Sequence, residues 1–235
     1  MSVVQNLALT LSRLVCNVPE TVGRSLAAGL GLLAGQFATS ERKRLRETIE
    51  RVYVRAGKPL PMPMSFILSR LFSHFALNGF ELLNMPRMTR AQLGERFEVF
   101  GMKHFEAALK RGKGVILAVP HLGNWELLGS YLAHLGYPLH SFFLAQKEDD
   151  LGSTLDHFRT YTKIVLHDRD RGTISALKAL KRGEVLGMIC DQDGGNYGIY
   201  LDFLNHWVSL PAGPANWSLK TGAAIKQQII HFFLQ

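Results

Sequence analysis

From residue 97 onward, short apolar runs alternate with segments of helical periodicity. VILAV (115–119) has no polar position and stands between Gly114 and Pro120, the pattern of a strand buried on both faces. Residues 122–135 read as a helix, 140–145 as a strand, 151–162 as a helix, 164–167 as a short strand, 173–181 as a helix and VLGMIC (185–190) as a strand. Strands separated by helices of this length predict an α/β fold with a mostly parallel sheet flanked by helices. Such sheets place their sites beyond the carboxyl ends of strands. Two polar constellations stand there: PHLGNWE after Val119 and DQD after Cys190.

The preceding residues read as helical throughout. An amphipathic stretch (3–22) leads into an apolar run, LAAGLGLLAGQFA, of thirteen residues (26–38). A spanning helix needs about twenty apolar residues, so the first reading is an in-plane or partly inserted anchor. A tilted span and a buried helix packed on the domain are the alternatives. The positive charges fall mainly after the run, which argues against a cleaved signal peptide. Gly31 and Gly35, four apart, permit close helix packing. In the Arg- and Lys-dense segment 41–55, Leu45, Ile49, Val52 and Tyr53 recur at helical spacing. Its charged face is either simply solvated or apposed to the cytoplasmic face of an anionic membrane. GKPLPMP (57–63) breaks the chain before a second apolar helix over 64–83. The expected organisation is a helical membrane-associating region (1–95) and an α/β core (96–235).

A formal charge of +8 calls for an anionic partner: lipid headgroups, a phosphorylated lipid, an acidic carrier protein or nucleic acid. The Lys and Arg residues are not interleaved with an aromatic platform, so no nucleic-acid partner is expected. The two cysteines, Cys16 and Cys190, have no paired spacing, which leaves no zinc or redox motif and suits a reducing compartment. Asp191 and Asp193 lack a third ligand at usable spacing. They read as hydrogen-bonding, substrate-positioning residues, with no metal and no cofactor.

His121 and Glu126 are five positions apart, roughly 140° around a regular helix, and would not share a face. They can meet only if His121 sits on the strand-to-helix turn and Glu126 in the first helical turn. Pro120 biases Val119 toward an extended conformation, Gly123 permits a tight turn and Asn124 suits a helix cap. In that geometry Glu126 would orient the imidazole, leaving the other ring nitrogen to take a proton from an attacking hydroxyl. The alternative is a histidine satisfied structurally in a turn.

RFEVFGMKHFEAALKRGKGVILAVPHLGNWELLG (96–129) closely resembles the late lipid A biosynthesis acyltransferases, the lauroyl and myristoyl transferases, and their relatives that acylate phosphatidylinositol mannosides. The family's His-x4-Glu/Asp motif, commonly HFGNWE, stands here as HLGNWE, with Leu122 replacing Phe. The likeness continues through DHFR (156–159), LKALKRGEVLGMICDQD (177–193) and LPAGPANWSLKTGAAI (210–225). It implies a glycerolipid-acyltransferase-like fold at the cytoplasmic face of the inner membrane. It also implies O-acyl transfer from acyl-carrier protein or acyl-CoA to a hydroxyl of a membrane glycolipid, such as a lipid A precursor. In that scheme His121 is the general base, Glu126 its acidic partner, Arg159 positions substrate and Asn124 with nearby amides stabilises the oxyanion.

Two departures stand out. The family's F-F-G-R loop is DFLNHW (202–207) here, so the resemblance carries no contact onto those positions. Asp202 is either a second carboxylate near His121 or a surface strand end. The family also continues beyond the T-G-A helix, and this end reads as truncated. A non-catalytic lipid-binding relative is therefore the alternative function.

Overall fold

The computed structural model describes residues 3–143, 150–168, 171–226 and 230–232. The chain divides into two compact units: Leu11–Asn84 with Tyr200–Val208, and Met1–Thr10 with Met85–Ile199 and Ser209–Gln235.

The N-terminal half is helical: α1 (Val3–Val15), α2 (Glu20–Phe37), α3 (Thr39–Arg55) and α4 (Met64–Asn84). The apolar run 26–38 lies within α2 up to Phe37, with Ala38 as the cap, and its two sides do different things. Gly23, Gly31 and Gly35 are buried, and a Cβ at Gly31 would fall 2.5 Å from the Phe72 carbonyl oxygen of α4. Only glycine allows the two backbones this approach. On the other side Leu26, Leu30, Leu33 and Phe37 are exposed. Arg24 bridges to the buried Glu81 carboxylate of α4 at 2.5 Å. No residue of α3 is buried. Among the described residues no helix is long and apolar enough to cross a membrane.

The other unit is α/β. After α5 (Arg90–Gly94), β1 (Phe97–Val99) and α6 (Met102–Leu109), the chain enters β2 (Val115–Val119). It continues through α7 (Trp125–His134), β3 (Leu139–Phe143), α8 (Asp150–Arg159), β4 (Val165–Asp168), α9 (Thr173–Lys181) and β5 (Val185–Ile189). These strands, with the later β8, form a five-stranded sheet in the order β4-β3-β5-β2-β8, β8 being Ala224–Lys226. Every pairing in it is parallel. Val115 and Leu117 pack against Phe105, Leu132 and Leu139 on one face, while Ile116 packs against Ala176, Leu180 and Leu186 on the other. Burial on both faces is why β2 carries no polar residue.

The expected strand 140–145 is Leu139–Phe143, and residues 144–149 lie outside the described ones. The expected helix 151–162 ends at Arg159 and tightens to a 3-10 turn over Thr160–Thr162. β6 (Ile199–Phe203) and β7 (His206–Leu210) form a separate two-stranded sheet, and α10 (Gly213–Thr221) precedes β8. β9 (Ile230–Phe232) pairs antiparallel with β1. The expected strands include none of β1, β6, β7, β8 and β9; of these β1, β8 and β9 have three residues each, too short to show a period.

Candidate active site

β2 and β5 are neighbours, with Val119 opposite Ile189. Beyond them the chains carry Pro120-His121 and Cys190-Asp191, and the Cys190 N–H donates to the Val119 carbonyl at 3.2 Å. One Asp191 oxygen accepts the His121 backbone N–H and the other meets Nδ1 of the ring, each at 2.7 Å. The carboxylate therefore fixes both the main chain and the imidazole plane. An ionised carboxylate can only accept, so Nδ1 carries the proton and Nε2 presents its lone pair. Nε2 has no hydrogen-bond partner among the described residues. The two side chains are 31% and 37% exposed, open enough for a substrate to reach.

The expected pairing of His121 with Glu126 gives way to this one. The helix predicted from 122 starts at Trp125, because Gly123 takes a left-handed φ of 64° and Asn124 caps the end. The Asn124 side-chain oxygen accepts the Leu127 N–H at 3.2 Å, so Asn124 is buried as a cap. Glu126 then lies in the first turn of α7, with both oxygens on Arg159. Oε2 accepts from Nε at 2.9 Å and Oε1 from Nη2. Arg159 also donates to Asp156 at 2.9 Å. Burial works against the Arg159 charge, but Glu126 and Asp156 outweigh it and hold its pKa above the ordinary value. Asp156 shifts upward, burial outweighing the stabilising guanidinium. The Arg159 fork thus meets a protein carboxylate.

The remaining expected residues fall elsewhere. The Asp193 carboxylate accepts the Gly195 N–H at 2.9 Å and shapes the loop after β5. Asp202 accepts the Asn205 N–H at 3.0 Å within the β6–β7 hairpin. Cys190, beside Asp191, has its thiol pushed upward in pKa by burial first and by that carboxylate second.

Trp125, the first residue of α7, joins the histidine to the apolar interior. Its ring stands edge-on to the His121 imidazole, with centroids 4.7 Å apart at 83°. It also lines a cavity of about 70 Å³ at this end of the sheet. Leu117, Val119, Leu128, Leu139, Phe142 and Ile164 supply apolar walls, Gly187 part of the floor, and Glu126 and Arg159 the polar rim. An aromatic flanked by an acid in a first helical turn was the available signal, but nothing in the sequence shows that α7 roofs a cavity.

A solvent-accessible carboxylate–imidazole pair at the strand ends of a parallel sheet, with Trp125 packed on the imidazole and lining an apolar cavity, is an arrangement able to abstract a proton. The profile of the bacterial lipid A biosynthesis acyltransferase family matches residues 2–232, and the chain belongs to that family. It is 28% identical over 218 residues to a phosphatidylinositol mannoside acyltransferase of Mycolicibacterium smegmatis, covering 91% of this chain and 70% of that protein. It is 24% identical over 189 residues to the protein of the same name from Mycobacterium tuberculosis, covering 78% of this chain and 59% of the relative. A lipid A biosynthesis acyltransferase of Haemophilus influenzae is 24% identical over 193 residues, 81% of this chain and 59% of the relative.

Proposed function

We propose that the chain transfers a fatty acyl group from an acyl thioester to a hydroxyl of a membrane glycolipid, with His121 as general base. The observation that carries this reading is the Asp191–Nδ1 hydrogen bond of 2.7 Å, which leaves Nε2 to take a proton, on a ring packed edge-on against Trp125 of the cavity wall. The acceptor hydroxyl gives its proton to Nε2 as its oxygen attacks the thioester carbonyl. Asp191 stabilises the imidazolium that forms. When the tetrahedral intermediate collapses, the C–S bond breaks and the sulfur takes the proton back from Nε2. The products are an ester and a thiol. No covalent acyl-enzyme is needed.

The apolar cavity suits the first carbons of the acyl chain, with the Glu126–Arg159 pair as a rigid rim that keeps α7 and α8 in place. The donor is a thioester of acyl-carrier protein or CoA. The acceptor is a glycolipid of the lipid A or phosphatidylinositol mannoside kind, by analogy with the named relatives. The exposed leucines of α2 and the basic α3 suit an interfacial position on the cytoplasmic face of the inner membrane. The test is transfer of a radiolabelled acyl thioester into membrane lipid extract. His121→Ala should abolish product while the protein stays folded; wild-type turnover by that variant would remove the mechanism.

A further inference from the structure

The turn joining β6 and β7 is built against its own chemistry. Leu204 and Asn205 have φ of 54° and 61°, the pair of left-handed conformations of a tight primed hairpin. That turn favours Asn-Gly or Asp-Gly, and a leucine at its first position is strained. Burial does not compensate, because Leu204 is 50% exposed. The neighbours share the anomaly: Tyr200 is 60%, Phe203 58% and Trp207 77% exposed. Water gains nothing from an apolar, strained tip with three bare aromatics around it. A membrane interface takes this combination, with Leu and Phe toward the acyl region and Tyr and Trp at headgroup depth.

The charge beside the tip points the same way. The Arg55 guanidinium donates to His206 Nδ1 at 2.7 Å, and the Asn205 amide donates to the Arg55 carbonyl at 3.3 Å. The hairpin is thus tied to the last residue of α3, a helix with six Lys and Arg against three Glu and no buried residue. A cation held next to an exposed apolar tip complements an anionic bilayer surface.

We infer that the β6–β7 tip (Phe203, Leu204, Trp207) inserts into the interface of an anionic lipid bilayer, with Arg55 and the basic face of α3 on the headgroups. This rests on the proposed membrane-lipid acceptor only in naming a lipid surface. It gives the chain a lipid contact apart from α2.

The test uses the full chain and vesicles of phosphatidylcholine with or without phosphatidylglycerol. Leu204→Ser/Trp207→Ser should partition about tenfold more weakly onto the anionic vesicles, and transfer to a detergent-dispersed acceptor should be unchanged. Brominated lipids in those vesicles should quench tryptophan emission of the parent chain, and Trp207→Phe, which still binds, should lose that quenched component. Equal partition by the double variant, or equal quenching after Trp207→Phe, overturns the inference. Partition unchanged with transfer reduced would make the hairpin an acceptor contact and overturn it too. Quenching that depends on Trp207 in a chain with no transfer activity would uphold the insertion while removing the enzymatic reading.

Discussion

Asp191 meets His121 because the register of β2 and β5 carries straight on past the end of both strands. Val119 lies opposite Ile189, and His121 and Asp191, 70 residues apart in sequence, keep the same offset two steps further. The pair is thus set by the register of two neighbouring strands inside the sheet, and the first prediction concerns it. Asp191→Asn should lower kcat about a thousandfold with little change in KM, because an amide no longer enforces the productive tautomer or stabilises the imidazolium. Glu126→Gln should cost less in steady-state assays. A larger defect from Glu126→Gln than from Asp191→Asn would return the orienting role to Glu126.

The second prediction follows from the fork between Arg159 and Glu126, which joins α8 to the first turn of α7. Arg159→Met should destabilise the fold by about 2 kcal/mol, since it strips a mostly buried carboxylate of its charged donor. Arg159→Lys should restore only part of this, because an ammonium cannot make two parallel bonds. Thermal melts of Glu126→Gln, Arg159→Met and the double variant check it. Strictly additive losses would show that the two groups are not coupled.

The sequence made β2 legible because a strand buried on both faces must be apolar at every position. It also made the turn legible, through Pro120, Gly123 and Asn124, whose backbone preferences act locally. His121 and Asp191 both stood at strand ends in the linear pattern. What could not be read was that β5 inserts between β2 and β3, which alone decides which acid reaches the imidazole. Glu126 looked like the partner because it is near in sequence. The cap at Asn124 rotates it toward α8 instead, a consequence of packing that no five-residue window contains. The same holds for the hairpin: Asp202 and Trp207 are visible as residues, but the left-handed turn at Leu204 is not.

A third prediction comes from the opposite face of the sheet. There Glu184 accepts from His140 Nε2 at 2.7 Å, so His140 Nδ1 accepts from His167 Nε2 at 2.9 Å. Arg182 forks onto Glu184. Burial first, then His140 and Arg182, lowers the His167 pKa from 6.5, with Glu184 opposing. The Arg182 hydrogen bond, against burial and with His140, lowers that of Glu184 from 4.5. Both signs favour the deprotonated forms in the folded state. The His167 contribution is therefore complete above about pH 6.5 and is lost as the pH falls below it, and the Glu184 contribution goes at lower pH as its depressed pKa is crossed. His167→Gln should flatten the fall in melting temperature between about pH 7.5 and pH 5.5. An unchanged slope would mean that other histidines carry the effect.

The last prediction uses the cavity itself. A Cβ on Gly187 would meet the His140 carbonyl oxygen at 3.6 Å and Leu139 Cδ1 at 3.8 Å, both ordinary contacts, so Gly187→Ala should fold and turn over much as the parent does. The further carbons of Gly187→Leu have the cavity to enter, where they take space that three or four methylenes of an acyl chain would occupy. Each buried methylene is worth about 0.8 kcal/mol, so kcat/KM for a long-chain thioester should fall about a hundredfold, while an acetyl donor, with a single methyl beyond the carbonyl, keeps its rate. Equal losses for long and short donors would mean that the chain lies elsewhere and that Gly187→Leu acts by disturbing β5, and through it Asp191.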